Sequence, residues 1–259
     1  MHTPVLLQEI IEVFQPGSGK KFIDATANGG GHTTALRQME AEVLPIEWDP
    51  VLAQRDGAVN DNYANIAKIA REHGFDQCDG VLFDLGFSSE QLEMGRGLSF
   101  LKDEVLDMRY GNAEKSASDI LNTASEEEIA RILKEYGEER FDGRIASAIV
   151  RHRPLNTTQQ LVEAIESVVP RRSKIHPATR TFQALRIAVN HELENLQQGL
   201  EGAMEIVKPG GVIAVISFHS LEDRIVKKFG GSKPRRATWE EIKKNRRARS
   251  AKLRIITKS

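Results

Sequence analysis

The stretch FIDATANGGGHTTAL, Phe22 to Leu36, limits what this chain can fold into more than any other. A short apolar run ends in Asp24, glycines follow at 29, 30 and 31, and a helical pattern begins directly after them. A strand that passes to a helix through glycines opens a parallel α/β unit. Glycine suits such a turn because it adopts left-handed backbone and lets the main chain approach a ligand closely.

The turn's spacing narrows the ligand. A phosphate-binding loop needs a lysine after its last glycine, but His32 follows Gly31, which argues against nucleoside triphosphate hydrolysis. A dinucleotide fingerprint needs a third glycine where Thr34 stands, so an NAD-dependent oxidoreductase is the weaker alternative. A nucleoside joined to an amino acid fits better. Asp24 reaches the sheet edge, and Glu47, ending the next apolar run, can accept hydrogen bonds from ribose hydroxyls. S-adenosylmethionine has that form.

The rest of the chain supports a parallel sheet covered on both faces. VLLQEIIEVF (Val5–Phe14) has helical spacing, and KFID, EVLPIEWD, DGVLFDLG and VIAVIS read as buried strands. From about Leu106 to Leu196 only helical patterns appear, including SEEEIARILKEYG with Ser125 as a cap, and TRTFQALRIAVNHELENL. The expected organisation is a sheet domain over 1–106 and 181–259 with a helical substrate-recognition insert over 107–180. The single cysteine, Cys78, excludes an internal disulfide and a cysteine-built zinc site and fits a partly buried position near a strand start. No segment has the length and apolarity of a membrane helix, so a cytoplasmic location is expected. The net charge of −1 hides an asymmetry: residues 227–259 carry thirteen Lys and Arg against Glu240 and Glu241. A segment of +11 on a near-neutral chain is a candidate contact for a polyanion.

Several blocks carry a family resemblance: HTPVLLQE, DATANGGGHT, DLGFSSEQL, GLSF with LDMR, YGEERFDGRIASAIV, HPATRTFQALRIAVN, PGGVIAVISFHSLEDRIVKKF and RRARSAKLR. In this order, over nearly the whole chain, they resemble the bacterial RsmH (MraW) family, which methylates N4 of a cytidine in the decoding region of small-subunit (16S) ribosomal RNA. The resemblance implies a Rossmann-like α/β sheet that uses S-adenosyl-L-methionine, with an inserted all-helical domain. It implies cofactor contacts at Gly30, Gly31, His32, Glu47, Tyr63, Asp84 and Gln91, to which the strand pattern adds Asp24. The chain departs from the family's usual residues at Asn28 (usually Gly), Glu47 (Asp), Tyr63 (Phe) and Glu104-Val105 (Gly-Pro), and the segment before the arginine-rich block is short.

Cytosine N4 is a weak nucleophile because its lone pair is conjugated with the ring, so its N–H groups need acceptors and its proton a destination. Asp84 keeps the acid of the amino-methyltransferase turn but lacks its prolines. Asp84, Asp107, Arg109 and His219 are therefore the catalytic candidates. Arg180, Gln183 and Ser217 are candidates for substrate binding. Arg246, Arg247 and Arg249, with Arg235 and Arg236, are candidates to hold the RNA backbone, aided by the basic turn PRRSK (Pro170–Lys174). No metal is expected, since His32 has no spaced partner ligands. The expected partner is small-subunit ribosomal RNA, with the protein a monomer or homodimer. A ribosome-assembly factor that binds RNA without catalysis is the other alternative.

Overall fold

The computed structural model describes residues 4–169 and 176–259, so the PRRSK turn lies outside the described residues. The chain divides into two compact units, one up to Ser88 together with Leu193–Ser259, the other Ser89–Glu192.

The first unit holds α1 (Leu7–Phe14), β1 (Lys21–Asp24), α2 (Gly31–Gln38), β2 (Glu42–Glu47), α3 (Pro50–Asp56), β3 (Val59–Asn60), α4 (Ile66–Glu72) and β4 (Cys78–Asp84). The second holds α5 (Ser89–Glu93), α6 (Ala117–Thr123), α7 (Glu126–Gly137), α8 (Asp142–Arg151), α9 (Thr158–Glu166) and α10 (Ala178–Asn190). The chain returns through α11 (Glu192–Ile206) to β5 (Val207–Ser217), α12 (Ser220–Lys228), α13 (Trp239–Lys244) and β6 (Lys252–Thr257).

The sheet order is β3-β2-β1-β4-β5-β6, parallel except for antiparallel β6. Successive strand residues point to opposite faces, and here both faces are buried. Ile23, Ile46, Val81, Phe83, Ile213 and Val215 pack with Ile66, Ile69, Leu196 and Leu200 on one side. Phe22, Val43, Leu82, Ala214 and Ile216 pack with Ile10, Phe14 and Leu36 on the other. This is the Rossmann-like arrangement expected. Strand order reverses beside β1, so the C-terminal ends of β1 and β4 flank the crevice where such sheets bind ligands. Cys78 opens β4 fully buried, and burial pushes its thiol up to about 12.

The arginine-rich end is folded. Leu253 and Ile256 are buried, and β6 pairs residue by residue with β5. Burial alone would raise Asp223, but Arg254 (2.8 Å) and Lys252 (2.8 Å) hold its carboxyl below the ordinary range. Two of the basic charges therefore serve the fold.

Helix caps account for the second unit's start points. Ser116 and Asp119, then Thr157 and Gln160, form reciprocal capping boxes, and Ser125 accepts from the Glu128 N–H. The unit's boundaries fall outside 107–180 because flanking segments bond within it. Met108 N–H donates to the Arg96 carbonyl, Leu106 N–H to Asn156, and Thr158 N–H to Glu104. These bonds use no N–H of Val105, the position where the family usually has proline. The pattern from Thr179 to Leu196 is not one helix: His191 is left-handed (φ 49°) and separates α10 from α11.

Candidate active site

The loop after β1 turns through three consecutive left-handed residues, Asn28 (φ 45°), Gly29 (φ 92°) and Gly30 (φ 74°). The first of these tolerates a side chain because asparagine enters this region at lower cost than most residues. The side chain also has work here. Asn28 Nδ2 donates to the Asp84 carbonyl (2.9 Å) while its backbone N–H donates to Glu47 Oε2 (3.0 Å). One residue thus links the ends of β2 and β4.

Three carboxyls end the three neighbouring strands, and all are buried. Asp24 braces the loop: Oδ2 accepts from the Thr33 hydroxyl (2.7 Å) and Oδ1 from the Thr26 N–H (3.4 Å). Burial pushes it up to about 6 despite those bonds. Glu47 accepts one N–H on each oxygen, from Asn28 and from Asp49 (2.9 Å), and burial pushes it up to about 7. A carboxylate oxygen has two lone pairs, so each keeps one acceptor position for a ligand hydroxyl.

Asp84 is the outlier. Its Oδ1 is buried with no hydrogen-bond partner. Burial pushes the group up to about 8, the charge of Asp24 adds to that, and Arg247 opposes it. Its Oδ2 lies 3.6 Å from His32 Nδ1. His32 Nε2 sits 3.0 Å from the Val5 carbonyl. A carbonyl only accepts, so Nε2 carries the hydrogen and Nδ1 faces the acid. Asp84 and His32 are buried side by side.

Around Asp84 a small pocket is lined by Val5, Asn28, Leu85, Phe87, Ser88, Phe218 and Arg247. The Arg247 guanidinium lies over the Phe87 ring, 5.6 Å from its centre. Tyr63 meets Phe83 edge-on (5.6 Å, 88°), and Gly199 makes room for it: a Cβ there would sit 2.8 Å from the Tyr63 ring.

The other predicted site residues are placed as follows. His219 begins α12 with Nε2 3.0 Å from Glu222 Oε1, and the buried Glu222 also accepts the Phe218 N–H (2.8 Å). Ser217 is buried, its hydroxyl donating to the Lys252 carbonyl (3.4 Å) across the β5–β6 pair. Arg246 and Arg249 are exposed.

Within the helical unit, Gln91 is buried on α5. Asp107 and Arg109 form a two-bond ion pair (2.6 and 3.1 Å) that holds the guanidinium firmly charged. Arg180 donates to the Glu138 carbonyl (3.0 Å) and Gln183 to the Tyr136 carbonyl (3.1 Å). These contacts lace α10 to the end of α7.

Sequence reasoning missed Thr26, Thr33, Phe87 and Glu222. Only Glu222 had a usable signal, lying three residues after His219 in a capping spacing.

Known proteins match this chain along its length. The family model described as the MraW methylase family matches residues 1–233. Ribosomal RNA small subunit methyltransferase H of Deinococcus deserti is 45% identical over 276 residues, covering 98% of this chain and 92% of the relative. The protein of that name from Deinococcus radiodurans is 46% identical, covering 98% and 88%. That from Citrifermentans bemidjiense is 41% identical over 306 residues, covering 99% and 98%.

Proposed function

This chain belongs to the MraW methylase family, and from that membership we propose that it methylates N4 of a cytidine in small-subunit ribosomal RNA using S-adenosylmethionine. A methyltransferase of this family has no use for nicotinamide, so the oxidoreductase alternative loses its support.

The residues suit the cofactor. The left-handed turn and Gly31 would receive its methionine part, Glu47 has acceptor positions left for two ribose hydroxyls, and Tyr63 offers an aromatic face for adenine. Bound there, S-adenosylmethionine supplies a methyl group already activated on a sulfonium.

The protein's own task is then to position the amine and take its proton. The observation that carries the proposal is Asp84, a buried carboxyl with an unsatisfied oxygen at the switch point of the sheet. An acceptor held against an N4–H draws the lone pair out of conjugation. Transfer of the methyl group would break its bond to the sulfonium sulfur, leaving a neutral thioether, as the C–N bond forms, and N4, made positive, would give up a proton to Asp84. A base pushed up to about 8 is well matched to neutral solution, since it both ionises and holds the proton it takes. The target base must leave its stack to reach this pocket, at a cost of a few kcal/mol. Exposed Arg246 and Arg249 are available to phosphates during that step. The proposed setting is cytoplasmic, and no helix among the described residues is long and apolar enough to cross a membrane.

The test is methyl transfer from labelled S-adenosylmethionine to small subunits lacking the modification, followed by nucleoside analysis. N4-methylcytidine, lost in a folded Asp84→Asn variant, is the expected result. No product from subunits, assembly intermediates or free RNA, with the cofactor bound, would overturn it in favour of an assembly factor.

A further inference from the structure

One tryptophan of this chain stands in the open. Trp239 begins α13 and is 68% exposed, and of the large apolar side chains left exposed among the described residues it alone is aromatic. A single exposed apolar side chain needs no explanation of its own. Trp239 is set apart by how it is held and by what surrounds it. The helix that carries it is fixed within the first unit. Ile242 packs against the apolar cluster of Ile10, Phe14 and Leu36, Glu241 Oε1 accepts the Leu6 N–H (2.7 Å), and the Thr238 hydroxyl accepts the Glu241 N–H (3.2 Å).

The surroundings are cationic. Lys243, one helical turn on, places its Nζ over the indole, 5.6 Å from the ring centre. Arg236, Lys244, Arg246 and Arg249 lie within ten residues of Trp239 along the chain, and all are exposed. Of the two acids in this stretch, Glu240 is exposed and Glu241 is half-buried against Leu6. Such a surface suits a polyanion that also carries flat rings. Unpaired nucleic acid is that kind of polymer: phosphates repeat along it, and every base has a face that stacks on an aromatic ring, whatever its hydrogen-bonding edge. A paired stem keeps its bases inside the stack. A bilayer surface takes up a whole apolar helix face, where α13 presents a single indole outward.

We infer that Trp239 is a stacking platform for an unpaired base of small-subunit RNA, with the neighbouring cations on the flanking phosphates. The inference rests on the proposed substrate and gives the folded C-terminal segment a contact with bases as well as with the backbone. Because any base presents a face, the contact favours single-stranded structure over a particular sequence.

The test is binding of unmodified small-subunit RNA by the full chain with and without a change at this position. Trp239→Leu lowers the affinity roughly 5- to 100-fold, the range for losing one base–aromatic stack. It leaves the slope of affinity against salt unchanged, because no phosphate contact is lost. Trp239→Phe keeps an aromatic face and recovers most of the affinity. Heparin, a polyanion without bases, is bound equally by the native protein and by Trp239→Leu. Melting temperature and S-adenosylmethionine binding show that both variants are folded. Unchanged RNA affinity in Trp239→Leu, or an equal loss on heparin, overturns the assignment. A loss seen with assembled subunits and absent with free RNA makes the partner a protein and also overturns it. Formation of N4-methylcytidine is read separately: its absence, with RNA binding still sensitive to position 239, overturns the proposed reaction and leaves the stacking contact standing.

Discussion

Replacing Asn28 separates what the backbone of the cofactor turn requires from what its side chain does. The residue is left-handed at φ 45°, and its amide donates to the Asp84 carbonyl at 2.9 Å. Alanine loses that bond, a net effect of about 1 kcal/mol, and adds about 1 kcal/mol of left-handed strain. Glycine loses the same bond but has no strain at this φ, and its extra freedom in the unfolded chain returns a few tenths to about 1 kcal/mol of cost. The expected order is native, then Asn28→Gly, then Asn28→Ala, with the alanine variant about 2 kcal/mol down. For a chain of this size about 1 kcal/mol corresponds to about 2–4 °C. Thermal unfolding followed by circular dichroism without ligand reads the difference. The backbone N–H that reaches Glu47 survives both changes, so cofactor affinity of the glycine variant stays within a few-fold of native. An alanine variant that melts at or above the glycine variant would show that left-handed strain does not select the residue here.

Asp84 gives a pH dependence of known sign. Its folded-state value of about 8 lies above the ordinary 3.8, so the folded protein holds the proton longer than the unfolded one. Stability therefore falls as pH rises between those values, by at most about 1.4 kcal/mol per pH unit. Melting temperatures from pH 6 to 9 should decline more steeply in the native protein than in Asp84→Asn. Equal slopes would refute it. For the same group acting as base, kcat/KM should rise with pH and level off above about 8. Asp223→Asn leaves Arg254 buried against a neutral partner and should lower stability by up to about 3 kcal/mol in urea unfolding. Because Asp223 lies below the ordinary range, its contribution is present at neutral pH and is lost as pH falls through the acid range. Arg246→Gln with Arg249→Gln should weaken RNA binding and flatten its salt dependence while leaving cofactor affinity unchanged. An unchanged salt slope in a filter-binding titration would remove these residues from the RNA contact.

Much of the sheet was legible because its signals are local. KFID, EVLPIE and VLFD are short apolar runs between turn residues, and a parallel strand buried on both faces needs nothing more. The cap of α7 was legible for the same reason, since Ser125 and the Glu128 N–H it accepts lie three residues apart. Strand β6 was not, because KLRIIT sits in a basic segment whose charge dominates its pattern and its partner lies some forty residues earlier. The break at His191 was hidden because a single left-handed residue leaves helical spacing intact on either side.

The sequence alone determined the strand–acid–glycine turn, the carboxyls at the strand ends and the helical character of the middle, since each depends on neighbours along the chain. Only tertiary structure decided what those groups do. Burial raised Asp24, Glu47 and Asp84 by different amounts, because desolvation depends on what surrounds a group in space. Long-range pairing of β6 with β5 turned Arg247 inward while its neighbours stayed exposed, a distinction absent from a run of three arginines. The same pairing withdrew Lys252 and Arg254 into a network with Asp223. A side chain's charge is a property of its residue type, but whether that charge faces solvent, an aromatic ring or a carboxylate is settled by contacts between residues far apart in sequence.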